Sequence, residues 1–162
     1  MYDSWQKQQQ LMASIEKEIK QSSFKHPQIK ANINIMFTAN WLNNKIAAIL
    51  KPHNLTHEQF NVLRILRGRH PDSMCQKDIL ERMIARQSNV TLIVKKLKNK
   101  KMIEVLRSDL DRREYVISIT ELGLSILDNI DKKSTSEIVK VNQLTNSEAN
   151  QLSILLDKLR GD

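Results

Sequence analysis

Glycine and proline are almost absent from this chain, which holds 3 of each in 162 residues. These residues most often end helices and form turns, so most of the chain is predicted to lie in long helices. From Ile29 to Leu50 neither occurs, and apolar residues recur at helical spacing on two stripes. One stripe contains Ile33, Phe37, Trp41 and Ala48, and the other contains Ile35, Ala39, Leu42, Ile46 and Ile49. A surface helix needs one buried stripe, so the second stripe predicts another layer or a second chain.

Three further helix starts are marked by the spacing of a capping box. In this motif the side chain of a Ser or Thr accepts a hydrogen bond from the backbone N–H three residues later, and the Gln or Glu side chain there accepts one from the backbone N–H of the Ser or Thr. The pairs are Thr56 with Gln59, Ser73 with Gln76, and Thr145 with Glu148. Another helix is predicted to begin at Thr120 or Glu121, and Pro27 and Pro52 bound the long helix.

A helix over residues 87–99 is predicted to have one apolar and one polar face. Its apolar positions are Val90, Ile93, Val94 and Leu97, at i, i+3, i+4 and i+7. The remaining surface carries Ser, Asn, Thr and Lys side chains. After it, "MIEVL" and "EYVISIT" have the β-branched and aromatic content of strands, and they bracket the charged stretch 107–114 as the two arms of a hairpin.

The positive charge is concentrated in the middle of the chain. The whole chain has a net charge of +8, and residues 75–113 hold 11 Lys and Arg against 5 Asp and Glu, a net of +6. Residues 121–162 hold 5 against 7, a net of −2. A basic region of this kind favours a polyanionic partner, although a solvated, solubilising face is the alternative interpretation.

Several classes of protein are disfavoured by what the sequence lacks. Cys75 is the single cysteine, which fits a reducing compartment and predicts a cytoplasmic location. No apolar run approaches the ~18 residues that span a bilayer, so no membrane association is expected. We find no nucleophile paired with a base, no glycine-rich phosphate loop and no ligand cluster, so an enzyme, a cofactor and a metal site are not predicted.

The order helix, short helix, tight connection, polar-faced helix and hairpin is that of a winged helix-turn-helix. The fold class expected is therefore mainly α with a small β-hairpin wing. The polar-faced helix can enter a DNA major groove, because Ser, Asn, Thr and Lys reach base edges and phosphates. Arg112 in the hairpin loop suits the narrow, electronegative minor groove, and a neighbouring Asp can hold the second arginine in place.

The sequence resembles the multiple-antibiotic-resistance regulator (MarR) family of bacterial transcription factors. The resemblance is carried by "LTHEQFNVLRIL", "CQKDILERM", "SNVTLIVKKLKNKKMIEVLRS", "DRR" and "SITELG", roughly residues 55 to 123. It implies a winged helix-turn-helix, an obligate homodimer and a response to small-molecule effectors. On this basis residues 1–50 and 121–162 are predicted to form helical dimerisation regions, and residues 51–120 the DNA-binding domain.

The predicted DNA contacts follow from the helix pattern and the resemblance together. They comprise Gln76, Lys77, Ser88, Asn89, Thr91, Leu92, Lys95, Lys96, Arg112 and Arg113. Two positions depart from the family's pattern, because Leu92 and Leu110 stand where many members have arginine. Leu92 can meet a thymine methyl but cannot form a bidentate contact with guanine.

Two interpretations remain open at this stage. Phe37, Trp41 and Phe60 could line an effector pocket, although helical spacing also fits plain core side chains. The winged fold could also serve as a protein-interaction module whose basic face binds an acidic partner. Leu92 and Leu110 are the residues that favour this alternative to DNA binding.

Overall fold

The computed structural model describes residues 14–85, 89–107, 114–141 and 144–161, and for 133–141 it describes the backbone. The chain forms two compact units, Met1–Ala48 and Ile49–Asp162. Within the described ranges, no helix combines the length and apolar character needed to cross a membrane.

The first unit contains a short helix, α1 (Ile15–Glu18), and most of a long one, α2 (Pro27–Leu50). Proline suits the first turn of α2 because its missing N–H would have no helical partner there. Lys30 Nζ forms an ion pair with Glu16 over 2.5 Å and so links α1 to α2. The long helix was predicted, but within this chain only its last residue, Leu50, is buried.

The second unit opens with a 3₁₀ turn (Lys51–His53) and α3 (His57–Arg67). The predicted capping box is present, since the Gln59 backbone N–H donates to Thr56 Oγ1 and the Thr56 N–H donates to Gln59 Oε1, each over 3.3 Å. On the inner side of α3, Val62, Leu63 and Leu66 are at most 1% exposed. This helix therefore supplies the centre of the core.

The next helix begins differently from the prediction. Ser73 and Gln76 do not form a capping box: α4 runs from Gln76 to Arg82, and its N-cap is Cys75, whose sulfur accepts the Asp78 N–H over 3.5 Å. The reason is that Met74 and Cys75 form a two-residue strand, β1, paired with Ile117 and Val116. Strand pairing holds Cys75 in extended backbone, so the helix can begin only after it.

Helix α5 (Val90–Asn99) is followed by strands β2 (Ile103–Arg107) and β3 (Tyr115–Ile119). The strands pair antiparallel from Ile103 with Ile119 to Arg107 with Tyr115, which confirms the predicted hairpin. Because β1 joins the other edge of β3, the sheet has three strands in the order β1-β3-β2. The protein is thus mainly α with a small antiparallel sheet, as predicted for a winged helix-turn-helix.

Two helices complete the chain, α6 (Glu121–Val141) and α7 (Asn146–Arg160). Thr120 begins the first of them, with its hydroxyl accepting the Gly123 N–H over 3.2 Å. Thr145 and Glu148 form the predicted capping box of α7. The core of the unit lies between α3, α4, α5, the sheet and the first half of α6. Its fully buried side chains include Leu50, Leu63, Leu66, Ile79, Leu97, Ile103, Ile117, Leu127 and Ile130.

Candidate nucleic-acid interface

Helix α5 has one buried face and one exposed face. Val90, Ile93, Val94 and Leu97 are each at most 9% exposed, and they hold the helix against the rest of the domain. Thr91, Leu92, Lys95 and Lys96 lie on the exposed face, and Leu92 retains 46% of its surface. The apolar and polar faces predicted from the sequence are therefore the observed ones.

The start of α5 is fixed by Asn89. Its side-chain oxygen accepts the Leu92 backbone N–H over 3.0 Å, an N-cap that satisfies one of the free donors of the first helical turn. Because the oxygen is engaged in the cap, the amide nitrogen is the part of Asn89 suited to donate a hydrogen bond to DNA. The cap also sets the direction in which the first turn of α5 presents its side chains.

A hydrogen bond between side chains joins α4 and α5, the two helices of the helix-turn-helix. Thr91 Oγ1 donates to Gln76 Oε1 over 3.1 Å, so the first exposed residue of α5 is tied to the first residue of α4. Gln76 is half-buried and the adjacent Lys77 is exposed. Since the Gln76 carbonyl is engaged, its amide nitrogen is the group suited to donate to an external acceptor. The sequence did not predict this bond.

Positive charge lies on and beside α5, as predicted. Lys95, Lys96 and Lys98 are exposed, whereas Lys100 donates from its Nζ to Gln59 Oε1 over 2.9 Å and to the Asn54 carbonyl oxygen. Burial lowers the pKa of Lys100, and the nearby Lys96 charge lowers it further. Lys100 therefore holds the end of α5 in place, a role the sequence interpretation missed. A signal was present, because Lys100 continues the buried stripe of Ile93 and Leu97 at helical spacing.

The two strands of the hairpin are described, and residues 108–113 between them lie outside the described residues. Arg107 ends β2 opposite Tyr115, and both side chains are exposed. Arg112 and Arg113, which were predicted to contact DNA, lie outside the described residues, as do Ser88 and Leu110. Arg107 was not among the predicted contacts, although it is an exposed cation at the end of β2, next to the charged stretch.

The three predicted effector residues belong to different units. Phe37 and Trp41 lie on α2 in the first unit and are 38% and 39% exposed, which is not the burial expected of core side chains. Phe60 lies on α3 in the second unit and is half-buried, with the Arg64 guanidinium 5.7 Å from the centre of its ring. In the parts of the chain that the structure describes, no three His, Cys, Asp or Glu side chains are grouped to hold a metal ion.

This arrangement of helix-turn-helix and β-hairpin defines a winged-helix protein of the transcription-regulator type. The family model for the transcriptional regulators SarA/Rot matches residues 44–130, more than half of the chain. The chain belongs to this family. The resemblance to MarR-type regulators is confirmed, since curated HTH-type transcriptional regulators share its sequence and solved MarR-type structures share its fold.

Two curated relatives illustrate the sequence similarity. The uncharacterized HTH-type transcriptional regulator YpoP of Bacillus subtilis is 32% identical over 120 residues, which cover 73% of this chain and 82% of YpoP. The HTH-type transcriptional regulator MgrA of Staphylococcus aureus is 27% identical over 111 residues, covering 68% of this chain and 74% of MgrA.

Solved structures share the fold at lower sequence identity. A putative MarR-like regulator from Bacillus cereus has a TM-score of 0.72 at 18% identity, over 83% of this chain and 96% of that one. Staphylococcus aureus MepR in complex with DNA has a TM-score of 0.70 at 22% identity, over 81% and 96%. Bordetella bronchiseptica BpsR, studied for the regulation of its DNA binding by 6-hydroxynicotinic acid, has a TM-score of 0.72 at 19% identity, over 86% and 99%.

Proposed function

We propose that this protein is a homodimeric regulator of transcription that binds double-stranded DNA in a sequence-specific manner. The observation that carries the proposal is the two-faced helix α5. Its apolar face is buried in the domain, so Thr91, Leu92, Lys95 and Lys96 are left for a partner. Hydroxyl, aliphatic and ammonium groups on one exposed helix match the base edges, methyl groups and phosphates of a major groove.

The two DNA grooves are assigned to the two parts of the winged helix. The helix predicted over 87–99, observed as Val90–Asn99, would enter the major groove with its N-terminal turn toward the bases. The wing over 107–114 would reach the minor groove through Arg112 and Arg113. Arginine suits that groove because its negative potential is strongest where it is narrow. Gln76 and Lys77, at the N-terminus of α4, would contact the DNA backbone.

Dimerisation is supported by apolar surface that the single chain leaves exposed. On α2, Met36 and Leu42 are 64% and 44% exposed, and on α7, Ile154, Leu155 and Leu159 are each more than half exposed. Surface of this extent on terminal helices fits burial by a second copy.

We therefore assign residues 1–50 and 121–162 to dimerisation and 51–120 to DNA binding. A two-fold dimer would bind half-sites about one helical turn, ~34 Å, apart.

A small-molecule effector is proposed to control DNA binding. Support comes from BpsR, whose DNA binding is regulated by 6-hydroxynicotinic acid. Phe37 and Trp41, four residues apart on α2, are the candidate contacts in the first unit. An effector would act by binding one arrangement of the two DNA-binding domains better than another. Quenching of Trp41 fluorescence by phenolic or anionic compounds, absent in a Trp41→Phe variant, would test this assignment.

Salt dependence tests whether the protein binds DNA through phosphates. We expect retardation of the duplex upstream of its own gene, with log affinity falling against log salt at a slope of about −5 to −9 if the dimer meets ~6 to 10 phosphates. A flat dependence would contradict the proposal.

Single substitutions test the residue assignments in the same assay. Lys95→Ala should flatten the slope by about 2, one phosphate per subunit, whatever the sequence of the duplex. Arg112→Ala should weaken binding most where A·T pairs flank the half-sites. Lys17→Ala removes the same charge from an exposed position on α1 and serves as the control. If all three variants behave alike, the assigned roles are wrong.

A second candidate function is a protein-interaction module, in which the basic face binds an acidic protein. The exposed aliphatic side chains favour it, because Leu92 on α5 is 46% exposed and Leu106 on β2 is 59% exposed. A partner recovered by pull-down, with no retardation of any duplex, would favour this candidate over DNA binding.

A regulator of bacterial transcription must be in the same compartment as the DNA that it binds, so we propose a cytoplasmic location. We also propose that the protein has no catalytic activity of its own, as its family consists of transcriptional regulators. No cofactor is required by the proposed function. Fractionation of cells that produce a tagged chain would test the location.

A further inference from the structure

Leu92 is an exposed apolar side chain in the part of α5 that is best placed to contact bases. It is 46% exposed, in the first turn of the helix. Its backbone N–H donates to the Asn89 side chain over 3.0 Å, so its position relative to the helix start is fixed. In helix-turn-helix proteins the N-terminal residues of the second helix contact base edges. The position of Leu92 therefore indicates a role in base recognition.

The surroundings of Leu92 limit what it can bind. Its neighbours one turn further along the same face are Lys95 and Lys96, both exposed, and Thr91 precedes it. A protein partner generally requires a larger apolar patch than one side chain in a cationic setting provides. A small apolar group attached to a polyanion fits this setting better.

The DNA major groove contains one such group, the C5-methyl of thymine. The thymine O4 acceptor lies beside the methyl group and suits a donor such as the Asn89 amide nitrogen. Cytosine has an N4–H donor where thymine has the O4 acceptor, and it has no methyl group. An aliphatic side chain over that donor would shield it from water without accepting its hydrogen bond, which disfavours cytosine.

We propose that Leu92 is a specificity-determining residue that selects thymine in each half-site through its C5-methyl group. The inference rests on the proposed DNA-binding function and adds to it a base and a chemical group. Arginine at this position would select guanine by a bidentate contact. Leucine cannot form that contact, so it changes the preferred base from guanine to thymine.

Uracil substitution provides the test, because it removes the methyl group and leaves base pairing intact. The best-bound duplex would be selected from a random library, and each thymine in it replaced by uracil in turn. We expect one position per half-site to weaken binding about fourfold, and replacement in both half-sites about sixteenfold. Leu92→Ala should bind the thymine and uracil duplexes equally, whereas Leu92→Met should retain part of the difference.

Ile84→Ala is the matched control. Ile84 is 91% exposed and lies outside α5, so its truncation removes aliphatic surface elsewhere and should leave the ratio of thymine to uracil affinity unchanged. Circular dichroism would show that each variant is folded. Equal affinity for all uracil duplexes, or full uracil sensitivity in Leu92→Ala, would overturn this inference alone. Failure to select any duplex would overturn the proposed function as well.

Discussion

Lys100 Nζ donates a hydrogen bond to Gln59 Oε1 over 2.9 Å, and this contact joins the end of α5 to the start of α3. Gln59 is 3% exposed, and its oxygen also accepts the Thr56 N–H. The same ammonium donates to the Asn54 carbonyl oxygen in the turn between α2 and α3. One lysine thus connects α5 to the turn before α3 and to the first turn of α3.

Lys100→Met keeps the length of the side chain and removes its donors. We expect the free energy of unfolding to fall by about 1 to 2 kcal/mol, because the buried Gln59 oxygen and the Asn54 carbonyl oxygen each lose a donor. Lys98→Met, on the exposed side of the same helix end, should change it by less than about 0.5 kcal/mol. Urea unfolding of both variants would measure the difference, and equal midpoints would show that the Lys100 contact does not stabilise the fold.

The same lysine predicts a dependence of stability on pH. Burial of the ammonium is the larger cause that lowers the pKa of Lys100 from 10.5, and repulsion from the Lys96 charge lowers it further. Between the lowered pKa and 10.5 the unfolded chain retains a proton that the folded chain has released, so stability rises with pH. A neutral amine keeps two N–H groups and can still donate both hydrogen bonds.

The natural chain should therefore gain stability relative to Lys100→Met as the pH is raised toward 10.5. Unfolding both proteins at several pH values in this range would test the sign. A constant difference, or one that falls with pH, would contradict the assignment of the pKa shift.

Gly123 and Gly68 form a contrasting pair for a second mutational test. A Cβ added at Gly123 would lie 2.7 Å from Ile119 Cγ1 and closer still to the Met102 carbonyl oxygen, so the start of α6 could not keep its place against the sheet. We expect Gly123→Ala to cost about 2 to 3 kcal/mol. At Gly68 the nearest atom would be the Ile65 carbonyl oxygen at 3.4 Å, and the backbone is right-handed helical.

Gly68→Ala should accordingly leave stability unchanged or raise it by up to about 1 kcal/mol. Thermal unfolding of the two variants side by side would check the contrast. If Gly123→Ala unfolds at the same temperature as the natural chain, the close approach of α6 to the sheet does not require glycine at this position.

The elements that could be predicted from the sequence are those specified by neighbouring residues. The capping boxes at Thr56 and Thr145 depend on residues three apart, and the buried stripe of α5 depends on positions within two turns. The hairpin was found because the periodicity changes on both sides of a charged stretch. Local patterns of this kind hold wherever the tertiary structure does not oppose them.

The contacts that escaped prediction join residues distant in the sequence. Lys100 and Gln59 are 41 positions apart, and Thr91 and Gln76 are 15 apart, so no local pattern specifies either bond. Strand β1 has two residues, too few for an alternating pattern, and its pairing with β3 moved the start of α4 past Ser73. Of the candidate site, the composition of the α5 surface was predictable, whereas the bonds that orient Gln76 and Lys100 were not.

Asp131 on α6 connects that helix to α3 through two arginines. Its carboxylate lies 2.7 Å from Arg67 Nη1 and 3.2 Å from Arg64 Nη1, with the Arg67 side chain 26% exposed. Asp131→Asn should lower the free energy of unfolding by about 1 kcal/mol at low salt, because a partly buried carboxylate shared by two guanidinium groups is worth more than an isolated surface pair. Added salt should reduce this difference, since it screens the charges.

Asp72→Asn is the matched control, because the ion pair of Asp72 with Arg69 is longer, 3.9 Å, and its side chains are 55% and 69% exposed. It should change stability by no more than a few tenths of a kcal/mol. Urea unfolding at low and high salt would compare the two variants. The Asp131 cluster would be shown not to hold α6 against α3 if both substitutions cost the same, or if salt leaves the cost at Asp131 unaltered.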